Sequence, residues 1–138
     1  MTIVDSAYGI ATTVPWDYDQ AVELTTAALK EQGFGVLTEI DVRATMKKKL
    51  DVDFRRYVIL GACNPPLAFR ALSSEREIGL LLPCNVIVYE NDDHTTTVSA
   101  MNPMAAMAVT GNTTLAEVAT AATAKLRAAI ARLDAQAS

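Results

Sequence analysis

Two apolar segments, Tyr57 to Cys63 and Ile78 to Glu90, constrain this chain more than any other feature. Runs this rich in Leu, Val and Ile have to be covered, so both read as sheet strands in a packed layer, the second a long central strand bent at Pro83. Each also carries a Cys-Asn pair. Gly61-Ala62-Cys63-Asn64-Pro65 closes the first segment, and Leu82-Pro83-Cys84-Asn85-Val86 lies inside the second. Covering such strands needs a core, and 138 residues, 51% of them hydrophobic, supply one. A chain of this size buries roughly two thirds of its unfolded surface, which excludes disorder and metal-dependent miniproteins. We expect a single domain over residues 1–138.

The charge balance narrows the partners. Twelve Lys and Arg against sixteen Asp and Glu leave a net charge of −4, and no basic run exceeds Lys47-Lys48-Lys49. Nucleic acids and anionic membranes select the opposite balance, so neither is expected as a partner. The stretch Ile78 to Val88 is interrupted by Pro83 and Asn85 and is far shorter than the ~20 residues that cross a bilayer. Met1 to Ser6 lacks the basic start and apolar stretch of a secretory signal, so a cytoplasmic location is expected, with Cys63 and Cys84 as free thiols.

The remaining elements follow from periodicity and punctuation. Tyr8 to Val14 suits a first strand. Asp17 and Gln20 form a capping-box pair ahead of a helix whose buried side holds Ala21, Val22, Leu24, Ala28 and Leu29, and Gly33 ends it. Phe34 to Val42 alternates as a strand, Arg43 to Leu50 is a short helix, and Asn64-Pro65 starts another over Pro65 to Leu72. Asn91-Asp92-Asp93-His94 turns the central strand back into Thr95 to Met101. Asn102-Pro103 repeats the cap-then-proline signal. Thr114 with Glu117 is expected to cap a C-terminal amphipathic helix over residues 113–135, with Leu115, Val118, Ala122, Leu126, Ala129, Ile130 and Leu133 in one stripe. The sum is α+β: one mixed, mostly antiparallel sheet of about five strands, with two long helices and short connecting helices packed on it.

Chemistry-bearing residues are few. Cys63 precedes a helix N-terminus, where unpaired N–H groups stabilise a thiolate, so with Cys84 it allows a thiol site for redox chemistry or a soft metal. The competing reading is packing, since a free cysteine behaves as a small hydrophobe. Asn64 and Asn85 supply hydrogen-bonding groups beside the thiols, or only a cap and a kink. Glu39 and Asp41 share a strand face near Arg43, Lys47 and Lys49 and form either a ligand rim or a solvated surface. His94 alone does not make a Ser/His/Asp or Cys/His mechanism, and the Cys and His spacings make no zinc motif. Gly33-Phe34-Gly35 falls at a helix-to-strand junction, the wrong side for a dinucleotide loop, so no metal and no cofactor is expected. Met101, Met104 and Met107 recur at helical spacing, as core or a subunit contact or else as an adaptable binding surface, and Trp16 and Tyr18 flank a helix start, as packing or else as a ligand lid.

The ordered set from Gly33-Phe34 and Glu39-Ile40-Asp41-Val42, through Tyr57 to Pro65 and Ala71-Leu72, to Ile78 through Glu90, resembles the domain of unknown function 302 family over about Tyr8 to Val109. The resemblance implies a small α+β domain, often standing alone, that pairs into a homodimer, and it implies no particular activity. The positions that match are Glu39, Asp41, Lys47, Tyr57, Cys63, Asn64, Pro65, Pro83, Cys84 and Asn85. Asn102-Pro103 stands where relatives more often carry Asp-Pro, so an acid role does not carry over there.

The leading expectation is a small-molecule-binding homodimer. Its cleft is lined by Cys63-Asn64, Cys84-Asn85 and the Glu39/Asp41 strand, with Lys47 and Tyr57 as further candidates. The alternatives are a thiol-based redox or soft-metal enzyme or sensor using Cys63 and Cys84, and a structural interaction module.

Overall fold

Six strands and five α-helices follow one another along residues 2–138, which the computed structural model describes. The first helix shows how closely local chemistry sets the boundaries. The Asp17 carboxylate accepts from the Gln20 N–H at 2.8 Å, satisfying a donor that the helix itself cannot, and α1 runs over Tyr18–Glu31. Gly33 then adopts φ 82°, a left-handed conformation that costs glycine little, and the chain enters β3 (Gly35–Asp41). Asp41 ends that strand and also caps α2 (Val42–Leu50) by accepting from the Ala44 N–H.

β2 (Gly9–Val14), β4 (Tyr57–Cys63) and β6 (Thr96–Met101) lie where the residue patterns put them. Three expectations are corrected. The segment from Ile78 does not enter the sheet at its start. Arg76–Leu81 winds as a 3₁₀ helix that buries Ile78, and β5 is confined to Cys84–Glu90. Pro83 has no N–H to give to a ladder, and a short apolar run is equally satisfied by a helical turn over a core. A two-residue strand, β1 (Val4–Asp5), pairs with β2 at Val4–Ala11 and is too short to show alternation, so the sheet has six strands rather than five. The last helix, α5 (Thr113–Ala137), is capped by Asn112, which accepts from the Thr114 and Leu115 N–H groups at 2.9 and 3.3 Å. Thr114 and Glu117 do not cap it. Asparagine is the stronger cap residue, and Glu117 instead bonds Arg70.

The sheet order is β1-β2-β6-β5-β4-β3, antiparallel at every pairing and not mixed. Register decides which residues each face receives. Ile10, Ala100, Val86 and Leu60 form one row across four strands, and Thr12, Val98, Val88 and Val58 the next. Both rows are buried beneath α1 and the stripe Leu126, Ala129, Ile130 and Leu133 of α5. Each such Leu, Ile or Val removed from water contributes about 1.5 to 3 kcal/mol, so these rows hold the layers together. The alternate row runs Ile40, Ile59, Ile87, Ser99 and Ala11 on the opposite face, which no long helix among the described residues covers. α3 (Pro65–Ser74), α4 (Pro103–Met107) and the start of α5 enclose a second, smaller core around Ala71, Ile78, Met107, Leu115 and Val118. Met101 ends β6, Met104 is exposed and only Met107 is fully buried, so the three methionines do not form one helix face.

Candidate functional site

The expected site residues divide between the two ends of β4. At its C-terminal end the strand stops at Cys63 because Asn64 turns the chain into α3. The Asn64 side chain accepts from the Leu67 N–H and donates to the Gln32 carbonyl, tying the start of α3 to the end of α1. Cys84, the first residue of β5, lies opposite Ala62. The space between this strand end, α3 and α5 is a cavity of about 320 Å³ lined by Cys63, Asn64 and Cys84. Leu67, Ala71, Leu82, Met107 and Val118 belong to its apolar wall, and no charged side chain lines it. A cavity with apolar walls and a few polar groups at one end is the form that small-molecule sites take, and its volume is near the lower limit of their range.

Both cysteines are free. Burial, and secondarily the Cys63 thiol nearby, pushes the Cys84 thiol up to about 11. It therefore remains protonated at neutral pH and serves the cavity as a small apolar surface with a weak S–H donor.

Glu39, Asp41 and Tyr57 do not reach this cavity. They line a more open, polar groove of about 590 Å³ at the opposite end of β4, beneath α1, together with Tyr18, Asp19 and Arg56. Asn85 is exposed on a third surface, beside Tyr8 and Met101. Lys47 projects from α2 and pairs at 3.0 Å with Asp51 and at 3.7 Å with Asp53, an exposed arrangement of small energetic consequence. Tyr57 stacks on Tyr89 at 5.4 Å, and burial followed by the charge of Tyr89 raises its phenol above the usual range. Sequence reasoning did not find the other half of the cavity wall, on α3, α4 and α5. Those residues are ordinary apolar ones, and only tertiary packing brings them to the thiols.

A model of the domain of unknown function DUF302 matches residues 10–133, from β2 to the last turns of α5. The chain belongs to the DUF302 family. The crystal structure of an uncharacterized conserved DUF302 protein from Bacillus stearothermophilus is 29% identical and superposes with a TM-score of 0.84, covering 92% of this chain and 98% of that one. No curated protein matches. All the residues that line the cavity lie within the stretch that the DUF302 family model matches. Among the described residues no helix is long and apolar enough to cross a membrane.

Proposed function

We propose that this DUF302 protein binds a small apolar molecule in the cavity at the Cys63-Asn64 turn, and does so as a cytoplasmic homodimer. The observation that carries the reading is the joint lining of one apolar cavity by both cysteines and the Asn64 cap. Its few polar groups orient a ligand while the walls of α3 and α5 exclude water. The thiol-enzyme reading is disfavoured by Cys84, which burial keeps protonated and therefore poorly nucleophilic. A cytoplasmic location suits two free thiols. Homodimer formation is supported by the uncovered sheet face, where Ile40 is 49% exposed and Ile59, Ile87 and Tyr89 are partly buried.

Nile red titrated into the protein tests the ligand reading. We expect saturable, blue-shifted fluorescence that is lost in Ala68→Trp, where an indole fills the cavity from its partly buried α3 wall. No saturable signal, or an unchanged one in Ala68→Trp, removes the reading and favours the interaction module.

A further inference from the structure

Cys63 and Asn64, adjacent in sequence, give the apolar cavity a nucleophile and a hydrogen-bond donor at the same strand end. Cys63 is a free thiol and partly exposed, whereas Cys84 is buried and remains protonated. One thiol of the two is therefore open to a ligand. A cysteine is nucleophilic enough near neutral pH to react without a dedicated base, and no histidine, aspartate or glutamate lines the cavity to serve as one.

The donor comes from the Asn64 side chain and not from the end of α3. Pro65 and Pro66 occupy the first two positions of that helix and have no N–H. The next two N–H groups are taken: Leu67 donates to the Asn64 Oδ1 and Ala68 to the Asn64 carbonyl oxygen at 2.9 Å. None of these four positions keeps an N–H for an anion. The Asn64 Nδ2 carries two N–H bonds, and its contact with the Gln32 carbonyl uses one of them. Asn64 is only 8% exposed, and its bonds to Leu67 and Gln32 fix the amide while leaving the second N–H for a ligand.

These features select the ligand. With no charged lining and no free helix N–H the cavity favours a neutral molecule, and its apolar walls favour a hydrocarbon chain. A cavity of ~150 Å³ takes up benzene, so this one of about 320 Å³ takes about a dozen non-hydrogen atoms. The group that uses a thiol and an N–H donor together is a conjugated carbonyl, whose oxygen accepts the hydrogen bond while the thiol attacks the far carbon.

We propose that this cavity captures a neutral, medium-chain α,β-unsaturated aldehyde covalently at Cys63. The Cys63 sulfur, as thiolate, forms a bond to the β carbon. The C=C electron pair moves towards the α carbon and the carbonyl oxygen, and the Asn64 N–H donates to that oxygen as charge develops on it. A proton from water, balancing the one that the thiol gave up, then completes the α carbon. The sum is addition of S–H across C=C, with no leaving group, no net redox change and no co-reactant. Capture is stoichiometric, and it rests on the cavity being a ligand site.

Incubation of the full chain with trans-2-nonenal tests it, read by intact mass and peptide mapping. We expect one adduct of the aldehyde's full mass, on Cys63, formed at a rate that saturates with aldehyde concentration. Imines on lysine lose water and are thereby told apart. In Asn64→Asp, which keeps the cap acceptor but not the donor, the ratio of the nonenal rate to the iodoacetamide rate should fall at least about tenfold, as for loss of one oxyanion donor. Iodoacetamide needs no cavity, so the ratio removes any change in the thiol itself. 1-Nonanol fills the cavity and cannot add to a thiol, so it should slow capture by the wild type, a reading that needs no variant to fold. A rate linear in nonenal, a rate that nonanol leaves unchanged, or an unchanged ratio in Asn64→Asp overturns capture. Where Nile red still binds saturably, capture alone has failed; where it does not, the ligand reading of the cavity fails as well.

Discussion

Cys84 lies directly opposite Ala62 in the β4–β5 ladder, which puts its side chain in the buried row while Cys63 forms the partly exposed end of β4. One position in register therefore separates an inert thiol from an accessible one. Because burial raises the Cys84 thiol, the folded state binds that proton more tightly than the unfolded chain does. The resulting stability is fully present below pH 9.0, the ordinary thiol value, and is lost as pH rises towards about 11. The loss is on the order of 3 kcal/mol, from the shift between those two values. Urea midpoints measured across this window should fall more for wild type than for Cys84→Ala. Alkylation at pH 8 should modify Cys63 alone, and equal labelling of both thiols would contradict the burial assigned to Cys84.

Asn64 ties two helices through one side chain, with Oδ1 serving Leu67 and Nδ2 serving Gln32. Asn64→Ala loses the cap and leaves the Gln32 carbonyl without this donor, at a cost of about 1 to 2 kcal/mol in chemical denaturation. Asn64→Asp keeps the cap acceptor and loses only the donor, so it should fall between the two. An Ala variant as stable as wild type would mean that the link to Gln32 contributes nothing.

What the residue pattern revealed and what it did not follow from the range of the interactions involved. Asp17, Gly33, Asn64 and the α5 stripe were legible because caps and periodicity are local, acting within a few residues. The 3₁₀ segment before Cys84 was not, since an apolar run says that it is buried without saying whether as strand or turn. β1 depends wholly on its partner β2. Cys63, Asn64 and Cys84 were recognisable as a group, and the fold brings them to one cavity. Glu39, Asp41 and Tyr57 were grouped with them, but β4 is seven residues long and separates the two ends. Tyr18 reads from the sequence as packing at a helix start or as a ligand lid, and the fold makes it a buried part of the groove lining beneath α1.

Gly61 shows how closely the sheet is packed beside the cavity. A side chain there would run into the Thr38 Oγ1 and come within 2.9 Å of the Pro83 ring. Gly61→Ala should therefore cost about 1 to 3 kcal/mol as overpacking. Thr38→Ala removes the hydroxyl that obstructs, so the double variant should recover part of the loss in thermal denaturation. Strict additivity of the two substitutions would show that Thr38 is not what excludes a side chain at Gly61.

The open sheet face yields the last prediction. Ile40, Ile59 and Ile87 stand side by side across β3, β4 and β5, and Phe54 packs 6.2 Å from Tyr57 at the margin of this row. A second copy laid on this face would remove the apolar row from water, and the row lies away from the helix-covered core. Sedimentation velocity at micromolar concentration should therefore show a dimer for the wild type. Ile40→Lys changes a side chain already half in solvent, so it should shift the protein to monomer while the melting of the monomer's own core stays cooperative. Because Ile59 sits between Ile40 and Ile87 in the row, Ile59→Lys should do the same more completely. A monomeric wild type, or dimers that survive both substitutions, would mean that copies do not meet through this face.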